Sequence, residues 1–234
     1  MSEHTRCIEP EASGASLSEK QAQTSQPAAS PEIGQQAAGQ RGQAQKYRCI
    51  VADPPWAENG GGKCKRGADR HYKTMKLPDI VRAMLKAPCW RPAEDCHLWL
   101  WYTDNFLPHA LCLVDQLGFR YVRTMQWVKA EPERISGVST DELMPQWWRL
   151  QPFGLGQYLR GQHEGCILAV RGKGRDLVQH RDVRSVVMAP KNTHSTKPGA
   201  AYEAIERVSP EPRLEMFARA QRAGWDVWGN EVAS

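Results

Sequence analysis

The stretch Asp53-Pro54-Pro55-Trp56 follows directly on a short apolar run, Cys49-Ile50-Val51-Ala52. An apolar run of this length that stops at two prolines predicts a buried strand ending in a stiff turn. Asp53 would then lie at the carboxyl end of the strand, where open α/β sheets bind their ligands. Proline fixes φ and has no N–H, so the two proline carbonyls are predicted to point outward as unshared hydrogen-bond acceptors.

This turn has two interpretations. A carboxylate, two fixed carbonyls and an indole face together suit the binding of a flat ring that carries an amino group. The alternative is a purely structural turn, with an Asx-type hydrogen bond at Asp53 and an exposed Trp56.

The composition restricts the class of protein. The chain has 234 residues, enough for one α/β domain with or without a tail. A net charge of +5 and nine tryptophans fit a nucleic acid as partner. The seven cysteines include no C-x-x-C pair, and no apolar stretch reaches membrane-spanning length. We therefore expect a protein of a reducing cytoplasm, without disulfides, a structural zinc site or a membrane span.

The chain divides into two parts. Residues 1–45 are predicted to form a disordered low-complexity tail, because they are rich in Gln, Ala, Ser, Gly and Pro and contain no aromatic residue. Residues 46–234 are predicted to form one domain, in which about seven strands alternate with roughly three helices. This alternation predicts a largely parallel sheet with helices on its faces.

The predicted strands are Cys49–Ala52, His97–Tyr102, Arg120–Val128, Gly165–Arg171, Arg184–Met188, Arg213–Ala218 and Trp225–Trp228. The predicted helices are Leu77–Ala87, Pro108–Leu117 and Ala201–Val208. Residues 57–75 and 129–160 are predicted to be long loops. His97 is predicted to lie at a strand edge and His109 on a helix surface.

Asp53-Pro54-Pro55-Trp56 resembles the [DNS]PP[YFW] motif of amino-group methyltransferases that use S-adenosylmethionine. Trp in the fourth place is similar to the adenine-N6 methyltransferases typified by the MT-A70 domain. Further stretches resemble that family in the same order: His71–Met75, Trp127–Lys129, Gly154–Arg160 with His163-Glu164, His194–Pro198, Leu214–Arg219 and Gly224–Glu231. The resemblance extends over residues 47–231 and is strongest to the short bacterial and phage members, which act mainly on DNA.

The resemblance implies a Rossmann-like fold with a circularly permuted motif order, in which the cofactor-binding segments follow the catalytic motif. It implies S-adenosylmethionine as cofactor and a nucleic acid as partner, with DNA favoured over RNA. It also implies that Asp53 and the carbonyl of Pro54 accept hydrogen bonds from the adenine amino group, within a turn that Pro55 completes. Trp56 and Tyr72 are expected to offer planes to the base. No metal ion and no covalent nucleophile is required.

Further residues receive roles from the resemblance and from their charge. Lys197 is expected to pair with the carboxylate of the cofactor. The other residues assigned to the cofactor, beside Asp53, are Glu215, Arg219, Asn230 and Glu231. The other residues assigned to the substrate are Lys63, Lys65, Arg66, Trp127, Arg160 and Glu164. Glu164 has an alternative interpretation as a partner of Arg160. Lys173, Arg175 and Arg181 are predicted to contribute phosphate contacts.

One segment departs from the family pattern. Arg219-Ala220-Gln221-Arg222 stands where better-known eukaryotic members carry a His-Asn pair after the Arg, so the ribose contacts expected there need another explanation.

Other functions stay open at this stage. The same motifs fit methylation of adenosine in RNA, or a non-catalytic nucleic-acid-binding partner of an active enzyme. A nicotinamide site is disfavoured, because Gly154-x-Gly156 lacks the third glycine of the dinucleotide fingerprint. We expect the protein to act in the cytoplasm of a bacterial host cell, and a homodimer is one arrangement that the sequence allows.

Overall fold

The computed structural model describes residues 45–57, 74–130, 158–191, 196–230 and 232. The described strands are β1 (Tyr47–Ala52), β2 (Pro92–Tyr102), β3 (Arg120–Lys129), β4 (His163–Arg171), β5 (Val186–Ala189), β6 (Arg213–Met216) and β7 (Trp225–Trp228). The described helices are α1 (Leu77–Lys86), α2 (Leu107–Gln116) and α3 (Gly199–Val208), with short 3-10 segments at Asp104–Phe106 and Gly174–Leu177. No helix in these parts of the chain is long and apolar enough to cross a membrane. The predicted tail falls outside the described residues, except for Gln45.

The seven strands form one sheet in the order β5-β3-β4-β2-β1-β6-β7. β4 runs antiparallel to both of its neighbours, β2 and β3, whereas all other neighbouring strands are parallel. The prediction of an α/β fold with a largely parallel seven-stranded sheet is confirmed. The reversed direction of β4 is new, because apolar periodicity shows burial and not strand direction.

The helices begin and end where the sequence chemistry requires. Pro78 and Pro108 lie in the first turns of α1 and α2, where the missing N–H costs no helical hydrogen bond. α2 ends before Gly118, whose φ of +74° suits a left-handed cap. Side chains from α1 and α2 pack on one face of the sheet and side chains from α3 on the other, so both faces are covered.

His97 corrects one sequence prediction. It lies on β2, an interior strand, and is fully buried, so the prediction of a strand-edge residue is wrong. His109 is exposed on α2, which confirms the prediction for that residue. The apolar runs around Cys49, Cys96, Cys112 and Cys166 predict core cysteines; the first two and Cys166 are buried, but Cys112 on α2 is only half-buried, so the prediction is wrong for that residue.

The strand directions bring one end of every described strand to the same edge of the sheet, named here the carboxyl edge. It contains the carboxyl ends of the six parallel strands and the amino end of β4. Lys173 and Arg175 follow the carboxyl end of β4, so they lie at the opposite edge. That Lys173 and Arg175 contribute phosphate contacts stays a prediction, and it would place those contacts away from the loop after Asp53.

Candidate active site

The turn after β1 is held by backbone hydrogen bonds. β1 is an interior strand whose last four residues, Cys49 to Ala52, are fully buried, so Asp53 is the first residue to leave the core. The N–H of Trp56 donates to the carbonyl of Pro54 at 2.8 Å, and the N–H of Met75 donates to the carbonyl of Pro55 at 2.7 Å. The prediction of unshared proline carbonyls is wrong. A carbonyl oxygen has a second lone pair, so the Pro54 carbonyl can still accept from a ligand.

Trp56 anchors this turn to the sheet. Its indole is 6% exposed, and Nε1–H donates to the carbonyl of Trp101 at 3.0 Å. The ring stacks on Phe106 with the centroids 5.6 Å apart and an interplanar angle of 19°. The structural alternative of an exposed Trp56 is therefore wrong. The expectation that it offers an open plane to a base is wrong as well, because the ring is covered by the core.

Four charged side chains meet at the carboxyl edge and are named here the charged cluster: Asp53, Lys129, Glu164 and Lys197. Nζ of Lys197 lies 2.7 Å from Oδ2 of Asp53 and 3.3 Å from Oε2 of Glu164. Nζ of Lys129 lies 2.8 Å from Oε1 of Glu164. The side chains of Lys197 and Asp53 are 9% and 17% exposed, so solvent screens their attraction only weakly. Two acids and two bases thus balance one another at the end of β1.

The neighbours set the charge states in this cluster. Burial alone would lower the pKa of the Lys197 ammonium, but the carboxylates of Asp53 and Glu164 raise it above its ordinary value. Burial opposes ionisation of Glu164, but Lys197 and Lys129 hold the pKa of its carboxyl below the ordinary value. Lys197 and Glu164 are therefore both charged at neutral pH.

The ammonium groups of the two lysines each contact a tryptophan ring. Nζ of Lys197 lies 5.4 Å from the ring centroid of Trp101, and Nζ of Lys129 lies 5.4 Å from that of Trp127. Trp127 donates from Nε1 to the carbonyl of Ala189 and is 2% exposed. The prediction that Trp127 contacts the substrate is wrong for this structure, because its ring is buried between the sheet and its neighbours. The ring contacts the ammonium of Lys129 instead.

A second acidic group lies one residue before the end of β6. Glu215 is 9% exposed, and its Oε1 accepts a hydrogen bond from the hydroxyl of Tyr202 at 2.6 Å. Nε of Arg222 lies 3.6 Å from Oε2 of Glu215. Burial raises the pKa of the Glu215 carboxyl, Tyr202 and Arg222 lower it, and Asp53 raises it; the net direction is upward. An acid in this position has the lone pairs to accept hydrogen bonds from ligand hydroxyls.

The other predicted residues divide into two groups. Arg219 and Asn230 follow β6 and β7 and so belong to the carboxyl edge, and Arg160 is exposed shortly before β4. The predicted residues Lys63, Lys65, Arg66, Tyr72 and Glu231 lie outside the described residues.

Sequence reasoning assigned no role to three residues of the site, Lys129, Tyr202 and Arg222. The available signal for Lys129 was its position directly after the apolar end of a predicted strand. For Tyr202 and Arg222 no local signal existed, because their contact with Glu215 depends on how α3 and β6 pack together.

The sequence as a whole matches known proteins. The MT-A70 family model matches residues 47–231. The chain is 28% identical over 205 residues to the type II methyltransferase M.MunI of Mycoplasma sp., covering 80% of this chain and 78% of that protein. It is 28% identical over 191 residues to the human N(6)-adenosine-methyltransferase catalytic subunit METTL3, covering 80% of this chain but 28% of that protein. It is 26% identical over 193 residues to the human N(6)-adenine-specific methyltransferase METTL4, covering 80% of this chain and 37% of that protein.

The family match spans nearly all of the domain predicted from the sequence, including every segment that carries the charged cluster and Glu215. The chain is much shorter than the two human proteins, of which it spans 28% and 37%. A match over this share of the chain shows that the protein belongs to the MT-A70 family.

Proposed function

We propose that this protein transfers the methyl group of S-adenosylmethionine to the N6 amine of an adenine in DNA. The observation that carries the proposal is the contact between Asp53 and Lys197. The two residues are 144 positions apart in sequence, and their side chains meet at the end of an interior strand. Burying a carboxylate and an ammonium together costs several kcal/mol of desolvation, so this edge retains charge at an energetic cost.

The chemistry requires an acceptor where Asp53 stands. The N6 amine of adenine is a weak nucleophile, because its lone pair is delocalised into the ring. Hydrogen bonds from its two N–H groups to the Asp53 carboxylate and the Pro54 carbonyl localise that lone pair and aim it. A hydrogen bond to a charged group contributes about 1.5–3 kcal/mol, and alignment of the reacting groups contributes several kcal/mol more. The amine nitrogen would form its bond to the methyl carbon as the carbon–sulfur bond breaks, with that electron pair going to sulfur to leave a neutral thioether. The nitrogen would then lose one proton, which the Asp53 carboxylate can accept or pass to solvent.

Lys197 and the Trp56 turn hold Asp53 in place for this role. The salt bridge engages Oδ2 and so restricts the rotation of the carboxylate, while the Pro-Pro turn fixes the backbone beneath it. Glu164 and Lys129 complete the charge balance, so that the cluster as a whole carries no net charge. Glu164 also lies at the edge where the base would enter, which supports its assignment to the substrate side.

The donor and acceptor groups at this edge fit S-adenosylmethionine, which supplies an electrophilic methyl group when bound. Its carboxylate requires a cation, for which we propose Lys197. Its ribose hydroxyls require acceptors, for which we propose the buried carboxylate of Glu215, with Arg219 and Asn230 nearby on the same edge. The Nε–H of Arg222 makes no hydrogen bond among the described residues and faces Oε2 of Glu215 at 3.6 Å, which adds a cation to this polar edge.

DNA is the favoured substrate because of the relatives that the chain resembles. The chain is 28% identical to the Mycoplasma type II methyltransferase over 80% of its residues. It also resembles the short bacterial members of its family, which act mainly on DNA. A base within a duplex must be flipped out before it can reach Asp53, at a cost of a few kcal/mol, so single-stranded or mismatched adenine should react faster.

The test uses the full chain with S-adenosylmethionine labelled in the methyl group. DNA and RNA oligonucleotides of one sequence are incubated side by side, and N6-methyladenine is identified by mass spectrometry after digestion. We expect label in the DNA, and none when every adenine is replaced by guanine. No label in any adenine-containing DNA or RNA would overturn the proposal.

Two other outcomes identify the alternatives. Label in RNA alone would assign the protein to adenosine methylation, with discrimination at the 2′-hydroxyl. Failure to bind the cofactor in calorimetry, together with binding of DNA, would indicate a non-catalytic partner of another enzyme.

A further inference from the structure

Arg222 lies against Glu215 and Tyr202 in the segment between β6 and β7. Its guanidinium carbon is 3.4 Å from the ring centroid of Tyr202, which is direct stacking. Tyr202 itself donates to one oxygen of Glu215, and Nε of Arg222 faces the other at 3.6 Å. Arg222 and Tyr202 therefore contact the two carboxylate oxygens of one buried acid.

The stack extends further and fixes Tyr202 from its other side. The ring of Trp225 packs edge-on against Tyr202 with the centroids 5.8 Å apart. Nε1 of Trp225 donates to Glu206 on α3 at 2.7 Å. Arg222 therefore packs on a ring that is itself held in place by its neighbours.

The charge of Arg222 has a clear consequence for Glu215. The charged and titratable groups that face Glu215 are Tyr202 from α3, Arg222 from the segment after β6 and Asp53 from the turn after β1. β1 and β7, which flank β6, place the apolar Val51 and Val227 beside Glu215. Arg222 is therefore the cation that opposes burial and the negative charge of Asp53, both of which favour protonation of Glu215.

A protonated Glu215 would be a poorer acceptor for ligand hydroxyls. A carboxylate accepts hydrogen bonds at both oxygens, whereas a carboxylic acid uses one oxygen as a donor.

We propose that Arg222 is a positioning residue of the cofactor site, which holds the Glu215 carboxylate in the orientation and charge state that bind the cofactor ribose. This inference rests on the proposed function, because it assumes that Glu215 faces the ribose. Arg222 acts through Glu215, so its replacement weakens cofactor binding and makes that binding more sensitive to acid.

The experiment compares Arg222→Gln with Arg222→Lys in the full chain. Arg222→Gln removes the charge, and Arg222→Lys retains it without the planar stack. The matched control is Arg82→Gln, which removes an exposed arginine that pairs with Asp79 on α1. Affinity for S-adenosylmethionine is measured by calorimetry at about pH 8 and about pH 6, and thermal unfolding verifies that each variant is folded.

We expect Arg222→Gln to weaken cofactor binding about tenfold at about pH 8 and by more at about pH 6, as loss of one charged contact predicts. Arg222→Lys should recover part of the lost affinity, and the pH dependence of its binding should be close to that of the parent protein. Arg82→Gln should bind the cofactor as the parent protein does. In turnover assays the loss falls on KM for the cofactor more than on kcat.

Parent-like affinity and pH dependence in Arg222→Gln would overturn the inference. Equal weakening by the Gln and Lys variants at both pH values would overturn it as well, since charge would then be irrelevant. A parent protein that binds the cofactor and methylates DNA while Arg222→Gln is unaffected refutes this inference alone. A parent protein that binds cofactor but methylates nothing refutes the proposed function and leaves the role of Arg222 to be judged from binding.

Discussion

Two clusters of buried polar side chains interact with β2, and they are stabilised in different ways. The charged cluster at the carboxyl edge pairs Asp53 and Glu164 with Lys129 and Lys197. The second group is named here the neutral cluster and consists of His97, Trp99 and Ser209. It lies within the core, and neither His97 nor Ser209 is exposed at all.

The neutral cluster is fully hydrogen-bonded without any charge. Nε2 of His97 lies 2.7 Å from the carbonyl of Gly174, so this nitrogen must carry the proton. Nδ1 then accepts from the hydroxyl of Ser209 at 2.8 Å, and that hydroxyl accepts from Nε1 of Trp99 at 2.9 Å. Burial also lowers the pKa of the His97 imidazole, which favours the neutral form.

The difference shows where this protein retains charge. A neutral network links β2 to Ser209, directly after α3, at little electrostatic cost. Buried ions are costly, so their presence at the carboxyl edge indicates a role beyond folding. Substitutions in one cluster, with the other cluster left intact as a reference, test this difference.

The largest expected effect is on activity. Asp53→Asn keeps the shape of the side chain but removes the charge that accepts from the amine, so methyl transfer should fall about 10³-fold or more. Thermal unfolding should show an intact fold, since Lys197 keeps its salt bridge to Glu164. Asp79→Asn, which changes an exposed acid on α1, serves as control. Transfer near the parent rate in Asp53→Asn would remove Asp53 from the mechanism.

The next effect is on stability. Lys197→Met leaves Asp53 without its cation and should lower the free energy of unfolding by about 3–5 kcal/mol, the usual cost of breaking a buried ion pair. Denaturant titration measures it, and Lys86→Met at an exposed position of α1 should change little. If Lys197→Met is as stable as the parent, the charged cluster is not formed in solution.

A smaller loss is expected when the neutral cluster is broken. Ser209→Ala removes the hydroxyl that links His97 and Trp99 and leaves two buried groups without a partner. Unfolding free energy should fall by about 1–3 kcal/mol, while methyl transfer per folded molecule stays at the parent level. Ser185→Ala replaces an exposed serine and is the control. A selective loss of activity in Ser209→Ala would contradict the separation of the two clusters.

The smallest effect distinguishes the clusters by pH. His97 has a lowered pKa, so its stabilisation is complete above the ordinary value of 6.5 and is lost as the pH falls below it. Glu164 also has a lowered pKa, but its stabilisation is present above 4.5 and is lost only below that pH. Unfolding free energy should therefore decline in two windows, by at most about 1.4 kcal/mol per pH unit for each proton.

Two variants separate these windows. His97→Gln should flatten the decline near pH 6 and leave the lower one, whereas His109→Gln, at an exposed position, should change neither. A decline near pH 6 that persists unchanged in His97→Gln would assign it to another group.

The sequence predicted the parts of the fold that depend on neighbouring residues. Trp225–Trp228 was predicted with its observed bounds, and α1 ends within one residue of the predicted helix. These predictions rest on local signals, namely apolar runs, prolines at helix starts and a strand stopped by two prolines. Local signals can be recognised in the sequence alone. Membership of the MT-A70 family follows from the same local motifs and from their order.

The sequence predicted the site less completely. Asp53 was placed correctly at a strand end, and Lys197 was assigned to the same site, but their direct contact was not foreseen. Trp56 and Trp127 were assigned to substrate on the grounds of their flat rings, yet both are core residues. An indole suits a stacking surface and a core equally well, and only the packing around it distinguishes the two.

The sequence by itself predicted the seven strands and three helices that the structure describes, the rigid turn after β1 and the family. The tertiary structure decided that β4 runs against its neighbours, which brings Glu164 to the same edge as Asp53, and that Arg222 stacks on Tyr202 beside Glu215. The physical reason is one of range. Local patterns record whether a residue is buried, whereas a salt bridge or a stack between distant residues depends on strand order and direction, which no local pattern encodes.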